Sequence, residues 1–497
     1  MSIARRDVLK LGGAALMAGG VAKTISALDP TATASDFALL DRLTGRADYT
    51  LRIGTGLVEL APDTIISTTT YNGQFPGPLI RFTEGRPVVV DVHNDTDTPE
   101  QLHWHGQIVP VDVDGSAEEG TPYIPAHGMR RLSFTPGPAG FRFYHTHVVP
   151  RSDLSKGQYT GEVGPVYIEP RNEAGAYDQE VFLTLKEFLP VFSQGGDMAQ
   201  DFLAGSMVPA LRQRGEKAMA ASLRRGMPHG YEVGYSAFSI NGRKLGHGEP
   251  IKVKAGQRVL FHVLNGSATE IRSLALPGHT FRIVALDGNP VSRQAEVPVL
   301  WIGTAERVSA LVEMNHPGVW VLGDLSDDDR KNGMGTVVQY AGRSGTPQWS
   351  TPAKFTWDYR AFARSGPPTA RPDHVMDFLI DKRNAADQGF NLWTLNGKAF
   401  DMHTNEPILR VQRGKRYRLR FRNATDDIHP LHLHRHSFDV THIAGTPVHG
   451  LLKDVVMLGG YQSLDFDFAA DQPGLSLFHC HQQIHMDYGF MFLLRCT

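Results

Sequence analysis

Three stretches of this 497-residue chain begin alike and end alike, and that internal repetition constrains the fold more than any other feature. Each opens on an Asn-Gly pair and runs to a proline: Tyr71-Asn72-Gly73 to Pro78-Leu79-Ile80, Ile240-Asn241-Gly242 to Pro250-Ile251, and Leu395-Asn396-Gly397 to Pro407-Ile408. Each then passes a glycine, Gly85, Gly256 or Gly414, and alternates, as in Val88-Val89-Val90-Asp91-Val92, Arg258-Val259-Leu260-Phe261-His262-Val263 and Arg416-Tyr417-Arg418-Leu419-Arg420-Phe421. Each closes on a Gly-led apolar run, at Gly140-Phe141-Arg142-Phe143, Gly318-Val319-Trp320-Val321 and Gly474-Leu475-Ser476-Leu477. Asn-Gly is a hairpin-turn pair, and period-two alternation between Gly, Pro and Asn breakers is strand chemistry. An all-β protein of three sandwiches is expected, with domains over 45–172, 173–345 and 355–497. Pro347, Pro352, Pro367, Pro368 and Pro372 mark the passage between the second and third. One segment, 198–227, is rich in Ala, Arg and Met and is expected to carry short helices.

A formal net charge of -2 gives no electrostatic footprint for nucleic acid, and no partner of that kind is expected. No apolar run after the first thirty residues is long enough to span a bilayer, so no stable membrane span is expected. The N-terminus reads as a twin-arginine export signal over residues 1–27: paired Arg5-Arg6, a mild apolar run from Leu11 to Ala22, and small residues near Ala27. That predicts the twin-arginine machinery as a partner and a periplasmic or secreted location. The two cysteines, Cys480 and Cys496, exclude a disulfide scaffold.

Histidine is the anomaly: 22 are present, and they cluster at equivalent points of the outer repeats. His103-Trp104-His105 and His145-Thr146-His147 stand in the first; His432-Leu433-His434 and His479-Cys480-His481 stand in the third. The middle repeat has Ala275-Leu276-Pro277-Gly278-His279 and Gly323-Asp324-Leu325 at those places, so it reads as a spacer. Alternate residues of a strand share a face, so each His-x-His offers two imidazoles to one surface. Burying four such pairs without a metal leaves too many polar atoms to satisfy. Cys480 points away from His479 and His481, and with His429 and His485 it makes the thiolate–imidazole set of a blue-copper site.

These motifs, His-Trp-His-Gly, His-Thr-His, His-Pro-Leu-His-Leu-His and His-Cys-His with His485 five past the Cys, resemble those of the multicopper oxidases, in particular three-domain, laccase-like bacterial members. The resemblance implies three cupredoxin-like Greek-key sandwiches and four copper ions. It implies His429, Cys480 and His485 as ligands of a type 1 copper and His103 and His432 as ligands of a type 2 copper. His105, His145, His147, His434, His479 and His481 would then hold a type 3 pair. It further implies single-electron oxidation of a small reducing substrate at the type 1 site and four-electron reduction of dioxygen to water at the other three coppers, with Cys480 and His485 in the catalytic path. A monomer is expected.

Several positions depart from the family pattern. The axial place of the type 1 site falls on Phe490, which cannot coordinate, with Met491 beside it on the other face. Asp114 matches the proton-relay acid of bacterial relatives, and the pair Asp114-Gly115 also reads as a turn. The places of a second acid hold Gln483 and Met486, with Asp487 one residue on. Arg435 replaces a small glycine, adding a charge that would steer an anion or pair with a carboxylate. Cys496 is expected to be a free buried thiol. Phenols and aromatic amines are the expected donors. The alternatives are a cuprous, ferrous or manganous oxidase serving copper tolerance, or a non-catalytic copper-binding scaffold of the envelope. The cue for a metal oxidase, Met198, Met207, Met219 and Met227, is loosely spaced, as packing residues are.

Overall fold

Both residues of the Asn-Gly pair that opens each repeat adopt positive φ, 56° and 69° at Asn72-Gly73, 53° and 73° at Asn241-Gly242, and 53° and 78° at Asn396-Gly397. Bridges Tyr71↔Gln74, Ile240↔Arg243 and Leu395↔Lys398 close these two-residue turns, as the hairpin chemistry requires. The computed structural model describes residues 45–170, 177–193, 201–226, 229–368 and 370–497. The export signal at 1–27, Met198 and Met227 lie outside the described residues.

The strands pair into sheets that follow the repeats. The first repeat builds two four-stranded sheets, in the order Thr64–Tyr71, Tyr49–Ala61, Val88–Asn94, Met129–Phe134, and in the order Ile80–Thr83, Val163–Glu169, Gly140–His145, His103–His105. The second builds a six-stranded and a five-stranded sheet, and the third an eight-stranded and a five-stranded sheet. The chain is all-β, as the repeats predict. The equivalence reaches register. In each repeat the strand after the Asn-Gly turn pairs in parallel with the last strand of its repeat: Ile80–Thr83 with Val163–Glu169, Ile251–Val253 with Gly335–Tyr340, and Ile408–Val411 with Met491–Cys496. Val88–Asn94 alternates from Val90 onward, with Val90, Val92 and Asn94 fully buried, while Val88 and Val89 are buried as well.

One connecting segment differs from expectation. In the described part of 198–227, one 15-residue helix, Pro209–Leu223, forms where short helices were expected. Pro209 at its first turn suits a position whose N–H has no helical partner. The helix lies hard against the third sandwich. A side chain at Gly215 would put its Cβ 2.4 Å from the Ala424 carbonyl oxygen, and Arg214 forks onto Asp381 at 2.7 and 2.6 Å. The Pro-rich passage packs inward, burying Trp357, Tyr359 and Phe362. Among the described residues no helix is long and apolar enough to cross a membrane.

The core of the third sandwich fixes the position of its histidine motif. Phe378, Phe421, Phe478 and Phe492 form a closed ring of stacked aromatics with centroids 4.6 to 5.0 Å apart. Phe478 stands two residues before Cys480 on the strand Gly474–Cys480, so the stack anchors the strand that carries both His479 and Cys480.

Candidate metal centre

Cross-strand register brings the histidine pairs together. His103 lies opposite His145, and His432 lies opposite His479, so the imidazoles of each antiparallel pair project from one face. Only His103 and His105 both sit on a strand. His147, His434 and His481 stand just past the ends of Gly140–His145, His429–Leu433 and Gly474–Cys480, which refines the expectation that strand alternation alone aligns every pair. The eight imidazoles still converge, and all are buried.

They form overlapping groups: His103, His105 and His432; His105, His145 and His481; His147, His434 and His479. The rings of His105 and His432 stack at 3.8 Å, those of His103 and His434 at 4.0 Å, and the His434 and His479 Nε2 atoms are 3.0 Å apart. First-repeat histidines thus face third-repeat histidines directly.

The hydrogen bonds give this geometry its chemical meaning. Five rings donate an N–H outward from Nδ1: His103 to the Asp114 carbonyl at 2.8 Å, His145 to the Thr146 carbonyl at 2.7 Å, His432 to the Asp454 carbonyl at 2.7 Å, His479 to the Cys480 carbonyl at 2.9 Å, and His434 to the Asp114 carboxylate at 2.8 Å. That fixes the tautomer and leaves the Nε2 lone pair of each ring facing inward. Nε2 of His103, His145 and His432, Nδ1 of His105, and both nitrogens of His147 and His481 are buried with no hydrogen-bond partner. Burial, followed by neighbouring imidazoles or, for His105, His432 next and then the Arg307 charge, holds His105, His145, His147, His432, His434, His479 and His481 well below the ordinary imidazole range, so they are neutral. Neutral rings aiming bare lone pairs into a shared buried space are the donor set of a metal site, and a costly arrangement otherwise. The residues fit copper.

A second group lies behind the first. Cys480 Sγ is 3.6 Å from His429 Nδ1 and 3.5 Å from His485 Nδ1, and those two nitrogens are 3.2 Å apart. Burial raises the thiol far above its ordinary value and keeps both imidazoles neutral. Thr425 Oγ1 lies 3.0 Å from His429 Nε2, while the Trp393 ring packs 4.1 Å from His485 and 4.9 Å from His429. Phe490 joins this group: its ring is 4.8 Å from that of His429, and its carbonyl accepts from Cys480 N at 3.2 Å. Met491 packs on the other side with Leu477, Met486 and Leu493. His429 and His485 are 0% and 2% exposed, so a bulky donor cannot touch either ring.

The other singled-out residues resolve as follows. Asp114 is fully buried at the end of the short helix Val111–Asp114; its carboxylate serves His434 and stands 3.2 Å from His103 Nδ1. Gln483 donates to Asp487 at 2.7 Å and accepts from the Gln158 N–H at 3.2 Å; burial pushes the Asp487 carboxyl up to about 8. Arg435 does not steer an anion. It donates to the carbonyls of Val109, Pro473 and Leu475 and to Ser476 Oγ, tying the first sandwich to the third. Its φ of 60° explains why a glycine suits this position. A left-handed non-glycine costs on the order of 1–3 kcal/mol, and charged hydrogen bonds worth about 1.5–3 kcal/mol each offset that. Cys496 is free and buried. Met207 is 54% exposed while Met219 accepts from Asn384 at 3.7 Å, so the described methionines do not gather. In the middle repeat, His279 is satisfied by Pro277 and Tyr340.

Several site residues were not evident from sequence. Glu118 approaches His147 Nδ1 at 3.7 Å, and Glu119 approaches His434 Nδ1 at 3.6 Å while accepting the Leu477 N–H. The adjacent acids just after Asp114 were a readable signal. Asp454, Arg142 and Arg307 had none.

Comparisons with known proteins agree with this geometry. Three family models described as multicopper oxidase match residues 55–173, 213–342 and 370–496. The multicopper oxidase MmcO of Mycobacterium tuberculosis (strain ATCC 25618 / H37Rv) is 30% identical, over 86% of this chain and 82% of its own length. Laccase-2 of Fomitopsis schrenkii is 25% identical over 85% of this chain and 84% of its own. The crystal structure of Fet3p, titled a multicopper oxidase that functions in iron import, superposes with a TM-score of 0.71 at 17% identity, covering 90% of each chain. Its likeness extends the cupredoxin-like, three-domain architecture to this fold.

Proposed function

This chain belongs to the multicopper oxidase family, whose members are copper-dependent oxidoreductases, and on that premise we propose that it couples one-electron oxidation of phenols or aromatic amines to the reduction of dioxygen to water. The observation that carries the reading is that His103, His105, His145, His147, His432 and His481 each keep a buried ring nitrogen with no hydrogen-bond partner and gather into overlapping groups. His429, Cys480 and His485 would hold a type 1 copper; His103 and His432 a type 2 copper; His105, His145, His147, His434, His479 and His481 a type 3 pair. Four coppers, when bound, would supply reversible one-electron chemistry beside Cys480 and a four-electron store for dioxygen at the cluster.

The chain's own groups supply the rest. Cys480 is covalently continuous with His479 and His481, so the thiolate of one site and two imidazoles of the next share one short backbone. Its protonation is favoured by burial, so the thiolate exists only with a cation beside it, and uptake must release a proton. Asp114 orients His434 through Oδ2 and keeps Oδ1 buried without a partner, a place from which an acid can pass a proton inward. On the opposite side Gln483 and Asp487 form a hydrogen-bonded pair in place of the family's second acid.

A second reading, oxidation of Cu(I), Fe(II) or Mn(II) in copper tolerance, draws support from the near-zero exposure of His429 and His485, which suits donors that need no ring contact. Export through the twin-arginine route, with a periplasmic or secreted monomer as the working form, fits the Arg5-Arg6 leader.

The copper-loaded protein should be blue and should consume oxygen with a phenolic donor. Cys480→Ser should bleach the colour and abolish substrate oxidation while the cluster keeps its copper. Unchanged turnover in that variant defeats the proposal. Parallel kcat/KM values for a phenol, Cu(I) and Fe(II) decide between the two donor classes.

A further inference from the structure

The residue nearest the trinuclear group that no motif predicts is Asp454. It stands between the strands Leu452–Lys453 and Val455–Leu458. Its backbone carbonyl accepts from His432 Nδ1 at 2.7 Å, and its carboxylate Oδ1 lies 3.2 Å from His105 Nε2. One residue thus orients one imidazole from the first repeat and one from the third, the two whose rings stack at 3.8 Å. The bond to His105 uses Nε2 and leaves Nδ1 as its bare, inward nitrogen, the reverse of the pattern in His103, His145 and His432.

The carboxylate is itself held by a clamp. Arg307, from the middle repeat, grips it with both terminal nitrogens at 2.6 Å, and Arg142, from the first, donates to Oδ2 at 3.1 Å. All three side chains are completely buried. Behind them Asp287 accepts from the Asp454 and Val455 N–H groups at 3.3 and 3.1 Å and meets Lys453 at 3.0 Å. Gly106, immediately after His105, completes the fit. At φ 76°, a Cβ there would lie 2.6 Å from both Arg307 Nη2 and Asp454 Oδ2. Backbone and clamp approach so closely that only glycine is accommodated.

We propose that Asp454 is a positioning residue for the trinuclear cluster and that Arg307 fixes it in place, so that the middle sandwich, which carries no histidine pair, takes part in building the metal site. This rests on the assignment of His105 and His432 as copper ligands. A buried ion pair is a weak source of stability, because desolvation offsets most of the attraction, but a bidentate guanidinium–carboxylate fork fixes orientation well. Partners that orient a ligand imidazole typically change metal affinity or activity by about 10–100-fold when removed. The three-sandwich arrangement follows: the outer two sandwiches bring the imidazoles, and the middle one brings the guanidinium that sets their angle.

The test compares wild type, Arg307→Met, Arg307→Lys and Asp454→Asn as full-length copper-loaded proteins. Copper per chain, the type 2 electron paramagnetic resonance signal, the blue absorption and the thermal midpoint of each are measured. Arg307→Met and Asp454→Asn should weaken copper retention at the cluster by about 10–100-fold and alter or abolish the type 2 signal, with the blue band intact. Arg307→Lys, which keeps the charge but not the fork, should recover part of the loss. Wild-type copper retention and type 2 signal in Arg307→Met and Asp454→Asn overturn the proposal. So does parallel loss of blue and cluster copper in step with the thermal midpoint, which marks a merely structural role. If Arg307→Met does not fold, Arg307→Lys and Asp454→Asn decide on the same readouts. A wild-type chain that binds no copper at the imidazole cluster defeats the ligand assignment and this proposal together, whereas a normal wild type beside normal variants defeats this proposal alone.

Discussion

Phe490 shows how much one side chain determines at the residue scale. Two backbone hydrogen bonds pin it beside Cys480, its N–H donating to the His485 carbonyl at 3.1 Å and its carbonyl accepting from Cys480 N at 3.2 Å. The ring is fully buried against His429, so neither water nor a thioether reaches this side of the site. A copper held as proposed by His429, Cys480 and His485 would find no donor in Phe490, so its oxidised form would be stabilised less and its potential would stand higher. Phe490→Met, a volume-tolerant change, should therefore lower the potential of the blue site and slow oxidation of phenols that are poor donors more than of easily oxidised ones. A redox titration of the blue band checks this; an unmoved potential means the side chain does not face the metal. Met491, one residue on, offers no such substitute because its side chain joins a different apolar cluster.

At the scale of the element, what was legible in the sequence follows the reach of a local pattern. Asn-Gly turns, alternating strands and His-x-His spacing involve neighbours within a few residues, and each stands where the repeats put it. The partners that orient the histidines do not. Arg307 and Asp454 are 147 residues apart, Arg142 and Asp454 are 312, and His105 and Asp454 are 349, distances at which no periodicity links one residue to another. Burial of His485 was invisible for the same reason, since it depends on Trp393 from another strand. The short helix Val111–Asp114 lies between these cases. Asp-Gly could be read as a turn or as an acid with a task, and the structure has both: Gly115 caps the helix at φ 99° while Asp114 reaches His434. A Cβ at Gly115 would fall 1.9 Å from the Leu102 carbonyl oxygen, so the helix end is pressed against the backbone leading into His103. Gly115→Ala should force that contact apart and strain the backbone by on the order of 1–3 kcal/mol or more. It should also loosen the Asp114 carbonyl from His103. A lowered urea midpoint together with a weakened type 2 signal is expected; a normal signal at lowered stability would separate the helix from the metal site.

Taken as a whole, the molecule joins its sandwiches through buried charge rather than through apolar surface alone, and that makes its stability depend on pH. Glu232, on the first strand after the helical insert, sits against the third sandwich. There Asn391 donates to it at 3.2 Å, and Lys382 is pinned between Asp426 and Asp427 at 2.5 and 2.6 Å. Burial, reinforced by the Asp427 charge, pushes its carboxyl from 4.5 up to about 8. One lysine already serves two carboxylates, so a third negative charge has no counterpart. The folded chain therefore holds this proton more tightly than the unfolded chain does. Between about pH 4.5 and 8 the native state binds more protons, and stability falls as pH rises through that window. Below the window the contribution vanishes, since both states are protonated; above it the full cost is present. Glu232→Gln keeps the shape and hydrogen-bonding capacity without the ionisation. Metal-free wild type and variant should have equal denaturant midpoints near pH 4, and the variant should be the more stable near pH 9, by about 2–4 kcal/mol after allowance for partial exposure. Metal-free protein is the right material because bound copper adds its own pH-dependent stabilisation through the imidazoles. Equal midpoints at both pH values would mean that Glu232 ionises freely, and that the seam between the second and third sandwiches admits enough water to solvate it.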